Sequence, residues 1–415
     1  MQAPANAAHK PALKDSPQRW WMMLLLLLAM LACYGQRGSL AVAVPFLSQK
    51  LNLNKADMGW ILSAFSLFYA FLQMPAGWFV DRFGVKRAYA AGYIFWSLSV
   101  ALTGFAHNFI TLVGLRVATG AGQAVAFPAT SRAVADWFQD RERGTVTGLY
   151  LAGTRIGTAL MGLFGGWFLG RYDVRLFFLV TGLVPLLWLL PWGAFLRRWA
   201  TPPSQQPRQP LSFWKSLTWL RHRSVLGIFL GFFAYDYAWF VYITWLPGYL
   251  VLERKFTPME MGVYTFVPFV AMSVIILFSG MLSDWLVRQG WNEIKVRRGC
   301  IMLGMLIGCL IVPAGLVADK MTAVWLLTIA ICGLGIASPN TWTLTQAVCE
   351  KRVVGTMSGM QNFGGNLGGL IAPALTGWIA EHYSFATALT VVGAVLVAGI
   401  LAYWWLIEEK FVAPD

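Results

Sequence analysis

Four arginines sit inside long apolar stretches of this 415-residue chain: Arg37, Arg116, Arg132 and Arg155. An arginine at the centre of a membrane-embedded helix costs about 2.5–3.5 kcal/mol on insertion scales. Arg132 has Asp136 one helical turn on and reads as a structural pair. The other three have no acidic partner inside the apolar stretches of the first half of the chain, so they call for an anion from outside. Guanidinium suits that task because it grips a carboxylate or phosphate through two parallel N–H bonds. Arg116, Gly120, Gln123 and Phe127 recur at helical spacing on one face, and Tyr34 lies one turn from Arg37. Arg37 and Arg116 are therefore expected to clamp an acid group. The competing reading is that one of them pairs with helix-end carbonyls and only shapes a positive field. In the second half Asp236 is the only deep carboxylate. Three roles stay open for it: a proton carrier, a gating partner for an arginine of the first half, or a structural hydrogen-bonding group. Ten aromatic residues lie between Phe229 and Tyr249, around Asp236. They serve packing and interfacial anchoring, or else they point to an aromatic or hydrophobic organic acid.

These residues must be held by elements that a bilayer accepts. Of the chain, 58% is hydrophobic and only 12% charged. Residues 88–106, 176–196, 299–318 and 385–407 each run about the thickness of a bilayer as helix without one ionisable side chain. Only helices or closed barrels satisfy their backbone in lipid, and these runs are too long for barrel strands. The sequence predicts an all-α integral membrane protein with twelve transmembrane helices: 20–48, 57–80, 88–106, 109–138, 144–170, 175–196, 224–252, 259–287, 297–318, 321–349, 353–380 and 384–407. The apolar run after Arg19 continues through Gln36 and Arg37, which makes it a first span and not a cleaved leader. With both termini in the cytoplasm, 21 of the 32 Lys and Arg fall inside and seven outside, a clear positive-inside bias.

Residues 197–223, with four prolines and six Lys or Arg, divide two six-helix halves, 1–196 and 224–415. Part of this linker, LSFWKSLTWL, is either an interfacial amphipathic helix or a plain connection. The net charge of +14 belongs to short loops between spans, a topology signal and not a nucleic-acid groove. The five cysteines have no CxxC or metal-ligand spacing, and the four histidines lie in tails, loops or span ends. No metal, cofactor or hydrolytic triad is expected, and the chain is not expected to be an enzyme.

The halves echo each other. Residues 144–167 and 355–378 share GTxxG, two further glycines and a terminal Gly-Trp at a shift of 211, which sets Arg155 opposite Asn366. Repeated halves with a site at their interface are a common transporter build. After the second helix stands GWFVDRFGVKR, with Gly77, Asp81, Arg82, Gly84, Lys86 and Arg87. Gly84 allows a tight turn, and the basic cluster holds the loop inside.

With this motif, the sequence resembles the major facilitator superfamily over essentially its whole length, which implies the major facilitator fold. Within it, CYGQRGSLAVAVP at 33–45, LRVATGAGQAVAFPATSR at 115–132 and NFGGNLGGLIAPALTGWI at 362–379 resemble the anion:cation symporter family. That family includes bacterial sugar-acid transporters and vesicular glutamate and sialic-acid transporters. The resemblance places Tyr34, Arg37, Tyr69, Arg116 and Asn366 at substrate-contacting positions, with Gln123, Arg155 and Asn362 as neighbouring candidates. It also implies Asp81, among the motif residues, as a conformational element. Where the family carries its proton-coupling acids, this chain has Gln36 and Gln123, amides that hydrogen-bond but do not titrate. The galactonate-type pattern has no arginine at the place of Arg155, which suggests a different or more highly charged substrate.

The expectation is a secondary transporter of a small organic anion, a carboxylate by preference, in the inner membrane of a bacterium. It works by alternating access, by symport with protons or, lacking those acids, as an exchanger or facilitator. A non-transporting anion receptor is the less favoured alternative. The partners expected are the anion, a proton or another coupling ion, and the lipid bilayer, with Gln36 and Asp236 as candidates for coupling or gating.

Overall fold

The computed structural model describes residues 17–138, 140–199, 218–349 and 354–407. Among them are fourteen α-helices and no β-strand. They are α1 (Arg19–Leu51), α2 (Lys55–Thr103), α3 (Phe109–Gln123), α4 (Ala126–Trp137), α5 (Asp140–Leu169), α6 (Val174–Leu183) and α7 (Leu189–Trp199). After the linker follow α8 (Arg223–Leu252), α9 (Pro258–Arg288), α10 (Glu293–Gly308), α11 (Ile311–Leu316), α12 (Lys320–Val348), α13 (Val354–His382) and α14 (Phe385–Leu406). They make twelve crossings, with α2 holding the second and third. Eight of the helical runs are apolar and long enough on their own to cross a bilayer.

The departures from the expected spans have local causes. The second and third spans join through Gly84, whose φ of 77° and ψ of 152° break the helix in a conformation that suits glycine alone. The fourth span is interrupted between α3 and α4, four residues ahead of Pro128, whose ring crowds the Ala124 carbonyl. The ninth breaks before α11 in the same way, ahead of Pro313. The sixth passes from α6 to α7 through a 3-10 turn, Val184–Trp188, that carries Pro185. Residues 211–217 of the anticipated interfacial helix and the side chain of Asp81 lie outside the described residues. Thr218–Arg221, at the linker's end, form a short 3-10 turn.

Six helices start at one face of the bundle, and each begins with a side-chain cap. Asn54, Asn108, Asp173, Thr257, Asp319 and Ser384 accept from the first-turn N–H groups of α2, α3, α6, α9, α12 and α14. Such caps satisfy donors that lipid would leave bare. At this face the helices before residue 200 interlock with those after residue 217. A Cβ on Gly59 would meet the Pro373 carbonyl, one on Gly166 would meet the Pro258 carbonyl and Gly262, and one on Gly262 would meet the Gly162 carbonyl. The backbones therefore touch with only hydrogen between them. The Ala374 N–H donates to Ser63 Oγ at 2.9 Å, the Lys55 N–H to Glu381 Oε2 at 2.9 Å, and Lys55 Nζ to the Ala380 carbonyl at 3.2 Å. Toward mid-depth the two sets meet through Arg155 on Trp239 and Phe71 on Phe363. Toward the opposite face, Gly77 and Gly359 have open space where a Cβ would stand.

Candidate functional site

The centre of the bundle is built on α1. Arg37 and Tyr34, one turn apart, face Phe65 and Tyr69 of α2, themselves one turn apart and stacked at 5.1 Å. The Arg37 guanidinium carbon lies 4.3 Å from the Tyr34 ring centre, 4.5 Å from Phe65 and 4.6 Å from Tyr69. Three rings thus replace part of the hydration this cation lost on burial. Its Nε donates to Gln123 Oε1 at 3.2 Å, and Gln123 Nε2 donates to the Cys33 carbonyl at 3.0 Å. Gln123 therefore fixes both the backbone and the charged head of the same turn of α1. Arg116, from α3, donates through Nη2 to the carbonyl of Arg37 at 3.2 Å, and its guanidinium carbon lies 4.9 Å from the Phe65 ring centre.

Both arginines are 6% exposed. No ion pair joins either of them to a carboxylate among the described residues, and Arg37 Nη2 and Arg116 Nε are buried without a hydrogen-bond partner. Two cations on one ring, each with a free N–H, repel one another at close quarters. An anion between them would meet both needs.

Phe65 escapes sequence reasoning, because an apolar residue within a span looks like any lipid-facing one. Its single signal is the four-residue spacing to Tyr69. Phe127, on α4, sets an edge against Tyr34 at 6.3 Å.

Gln36 turns away from this site. Its Nε2 donates to Ser97 Oγ at 3.1 Å and to the Thr181 carbonyl at 3.0 Å, and its Oε1 accepts from Trp96 Nε1 at 2.7 Å. Pro185 explains the contact with Thr181. It has no N–H to give the carbonyl four residues back, so the amide of Gln36 supplies the missing donor.

Across the centre, the Arg155 guanidinium lies 3.7 Å from the ring centre of Trp239 on α8. Asp236, one turn before Trp239, makes no hydrogen bond or ion pair among the described residues, and its carboxylate packs over Gly365 of α13. Gly364, Gly365, Gly368 and Gly369 leave room on α13 for Phe229, Phe232, Asp236, Tyr237 and Phe240 of α8. On α13 Asn366 is 4% exposed and gives its Nδ2 to the Asn362 carbonyl at 2.8 Å. Arg132 binds both oxygens of Asp136 at 3.1 Å, well away from the centre. In the motif loop, the Lys86 carbonyl accepts from Trp192 Nε1, while Arg82 and Arg87 are exposed. The five cysteines are unpaired, and no group of three or more metal-ligating side chains gathers among the described residues.

The Major Facilitator Superfamily profile matches residues 26–373, and the chain belongs to that superfamily. It is a multi-pass integral membrane transporter and not an enzyme. It is 33% identical to the D-galactonate transporter of Escherichia coli O6:H1, covering 99% of both chains. It is also 33% identical to the probable L-galactonate transporter of Escherichia coli K12, covering 92% of this chain and 87% of that one. A solved bacterial homologue of the human lysosomal transporter Spinster, inward-facing and unoccupied, superimposes with a TM-score of 0.80 at 18% identity, over 94% of this chain and 97% of that one. That likeness is one of fold.

Proposed function

We propose that this chain moves a small organic anion of the sugar-acid kind across the inner membrane of a bacterium by alternating access. The observation that carries this reading is the pair Arg37 and Arg116, buried on one aromatic ring with an unpartnered N–H each and, among the described residues, no carboxylate paired to either. The two related sugar-acid transporters support the substrate class. Arg37 and Arg116 hold the acid group, while Tyr34, Tyr69, Gln123, Asn362 and Asn366 meet the remainder of the molecule. The two six-helix halves, 1–196 and 224–415, rock about this site. With both termini cytoplasmic, the interlocked face is the periplasmic one, and the arrangement is the cytoplasm-open state. The motif loop, with Asp81, then lies on the cytoplasmic side.

On coupling, exchange or facilitated movement is favoured over proton symport by a specific observation. Gln36 and Gln123 are both amides engaged in fixed hydrogen bonds, so neither offers a titrating site. Asp236 is the remaining carboxylate through which a proton could travel.

The test is uptake of radiolabelled D-galactonate by sealed proteoliposomes, with and without a pH gradient. Saturable uptake lost in Arg37→Met and in Arg116→Gln is expected. Uptake that persists in both, at wild-type rates, refutes the arginine pair as the anion site. Uptake driven only by a pH gradient refutes the exchange reading.

A further inference from the structure

The arginine pair accounts for one acid group; the centre holds a third cation. Arg155 stands midway along α5, and the depth at which it lies follows from the packing of α1 beside α5. Leu31 lies against Gly157, and Gly35 against Gly157 and Met161. Arg155 is therefore level with the turn of α1 that precedes Leu31, and Arg37 is about two helical turns, roughly 10 Å, nearer the interlocked face. The guanidinium of Arg155 spends its charge on the face of Trp239. A ring is a weak partner for a cation compared with a carboxylate. Asp236, one turn from Trp239 on α8, makes no ion pair with Arg155 among the described residues.

The charges at the centre are thus three arginines and one aspartate. One anionic group leaves this balance positive, and a second brings it closer to neutral. We propose that the substrate is a dianion, such as a linear dicarboxylate. Its first acid group sits on Arg37 and Arg116. Its second draws Arg155 off Trp239, and the indole is left as an apolar wall for the carbon chain. This inference rests on the anion-transport reading above and adds a charge requirement to it. Arg155 is here a specificity-determining residue.

The experiment compares matched pairs that differ by one acid group: galactarate with D-galactonate, glutarate with butyrate, phthalate with benzoate, and sulfoacetate with acetate. Binding to the purified full chain is measured by isothermal titration. The wild type is expected to prefer the dianion of at least one pair by about tenfold or more, the scale of one charged hydrogen-bonded contact. In Arg155→Gln that preference collapses, because affinity for the dianion falls by about tenfold or more toward that for its monoanion. Arg155→Met, which keeps an unbranched chain over Trp239, gives the same reading where the glutamine variant does not fold. Arg155→Lys retains the preference in part. Equal affinity within every pair, or a preference that survives in both neutral variants, overturns the dianion inference alone. Absence of binding to any of the eight anions by folded wild-type protein overturns the anion-transport reading and this inference together.

Discussion

Replacing Arg37 with methionine separates what the cation does for the fold from what it does for the cargo. In the unliganded protein its stabilising contacts are three rings at 4.3, 4.5 and 4.6 Å and one bond to Gln123. Each ring contact is worth about 0.5–2 kcal/mol. Against them stands the cost of a charge near mid-membrane, about 2.5–3.5 kcal/mol. These terms are of similar size, and Met fills the same space between the rings, so ligand-free stability should change little. Binding is another matter. Two charged hydrogen bonds from a guanidinium fork contribute about 1.5–3 kcal/mol each, and their loss weakens anion affinity by roughly a hundredfold to ten-thousandfold. Thermal unfolding in detergent and titration with D-galactonate read the two effects side by side. A variant that keeps wild-type affinity would show that the arginine serves only the local field. A large fall in the unfolding temperature of the ligand-free variant would show that the rings hold the bundle together through the cation, and the division argued here would be wrong.

Gln36→Leu should lower the unfolding temperature and leave anion affinity of the folded protein unchanged, because it strips a partner from the Trp96 N–H and from the Thr181 carbonyl at about 1–3 kcal/mol each. A loss of affinity without loss of stability would place Gln36 in the substrate site and refute this structural role. Gly166→Leu should force α5 from α9 at Pro258 and Gly262, so that cysteines introduced near Gly59 react faster with membrane-impermeant reagents; unchanged labelling refutes the interlock. Gly84→Val places a β-branched residue at a φ of 77° and should destabilise by about 1–3 kcal/mol, seen as reduced yield and a lower unfolding temperature.

What the sequence disclosed and what it hid divide along physical lines. Arg37 and Arg116 stand out because charge in an apolar stretch is costly, so it has to be explained. The twelve crossings stand out because the chain must fill a bilayer's thickness each time. Phe65 does not stand out, since its part depends on which face of α2 turns inward, and a span that is apolar all round carries no such mark. The same holds for Trp239, one of many aromatics on α8. Its place under Arg155 depends on how α5 and α8 meet, which no local pattern records. Gln36 is a coupling or gating candidate in the sequence because it stands, next to Arg37, where the resembled family carries a proton-coupling acid. Adjacent residues on a helix face about 100° apart, and the pull of the Thr181 carbonyl, exposed by a proline far along the chain, decided its direction. The spans expected over 109–138 and 297–318 are unbroken in the sequence reading, because whether a span bends or breaks ahead of Pro128 or Pro313 depends on the neighbours that receive the released carbonyls.

The seat of Gln36 also explains what an acid at that position would entail. The Thr181 carbonyl only accepts, so it needs a donor opposite it. An amide donates at every pH. A carboxylate there would face an acceptor with acceptors, and could complete the contact only while carrying a proton. The junction of α1, α2 and α6 would then tighten and loosen with the proton supply on whichever side of the membrane reached it. In this chain the junction is insensitive to protons at that point, as though the occupied setting of a switch had been made permanent. On the exchange or facilitated reading proposed above, the machinery for moving cargo stays whole under such a change, and the gradient of the cargo itself drives it.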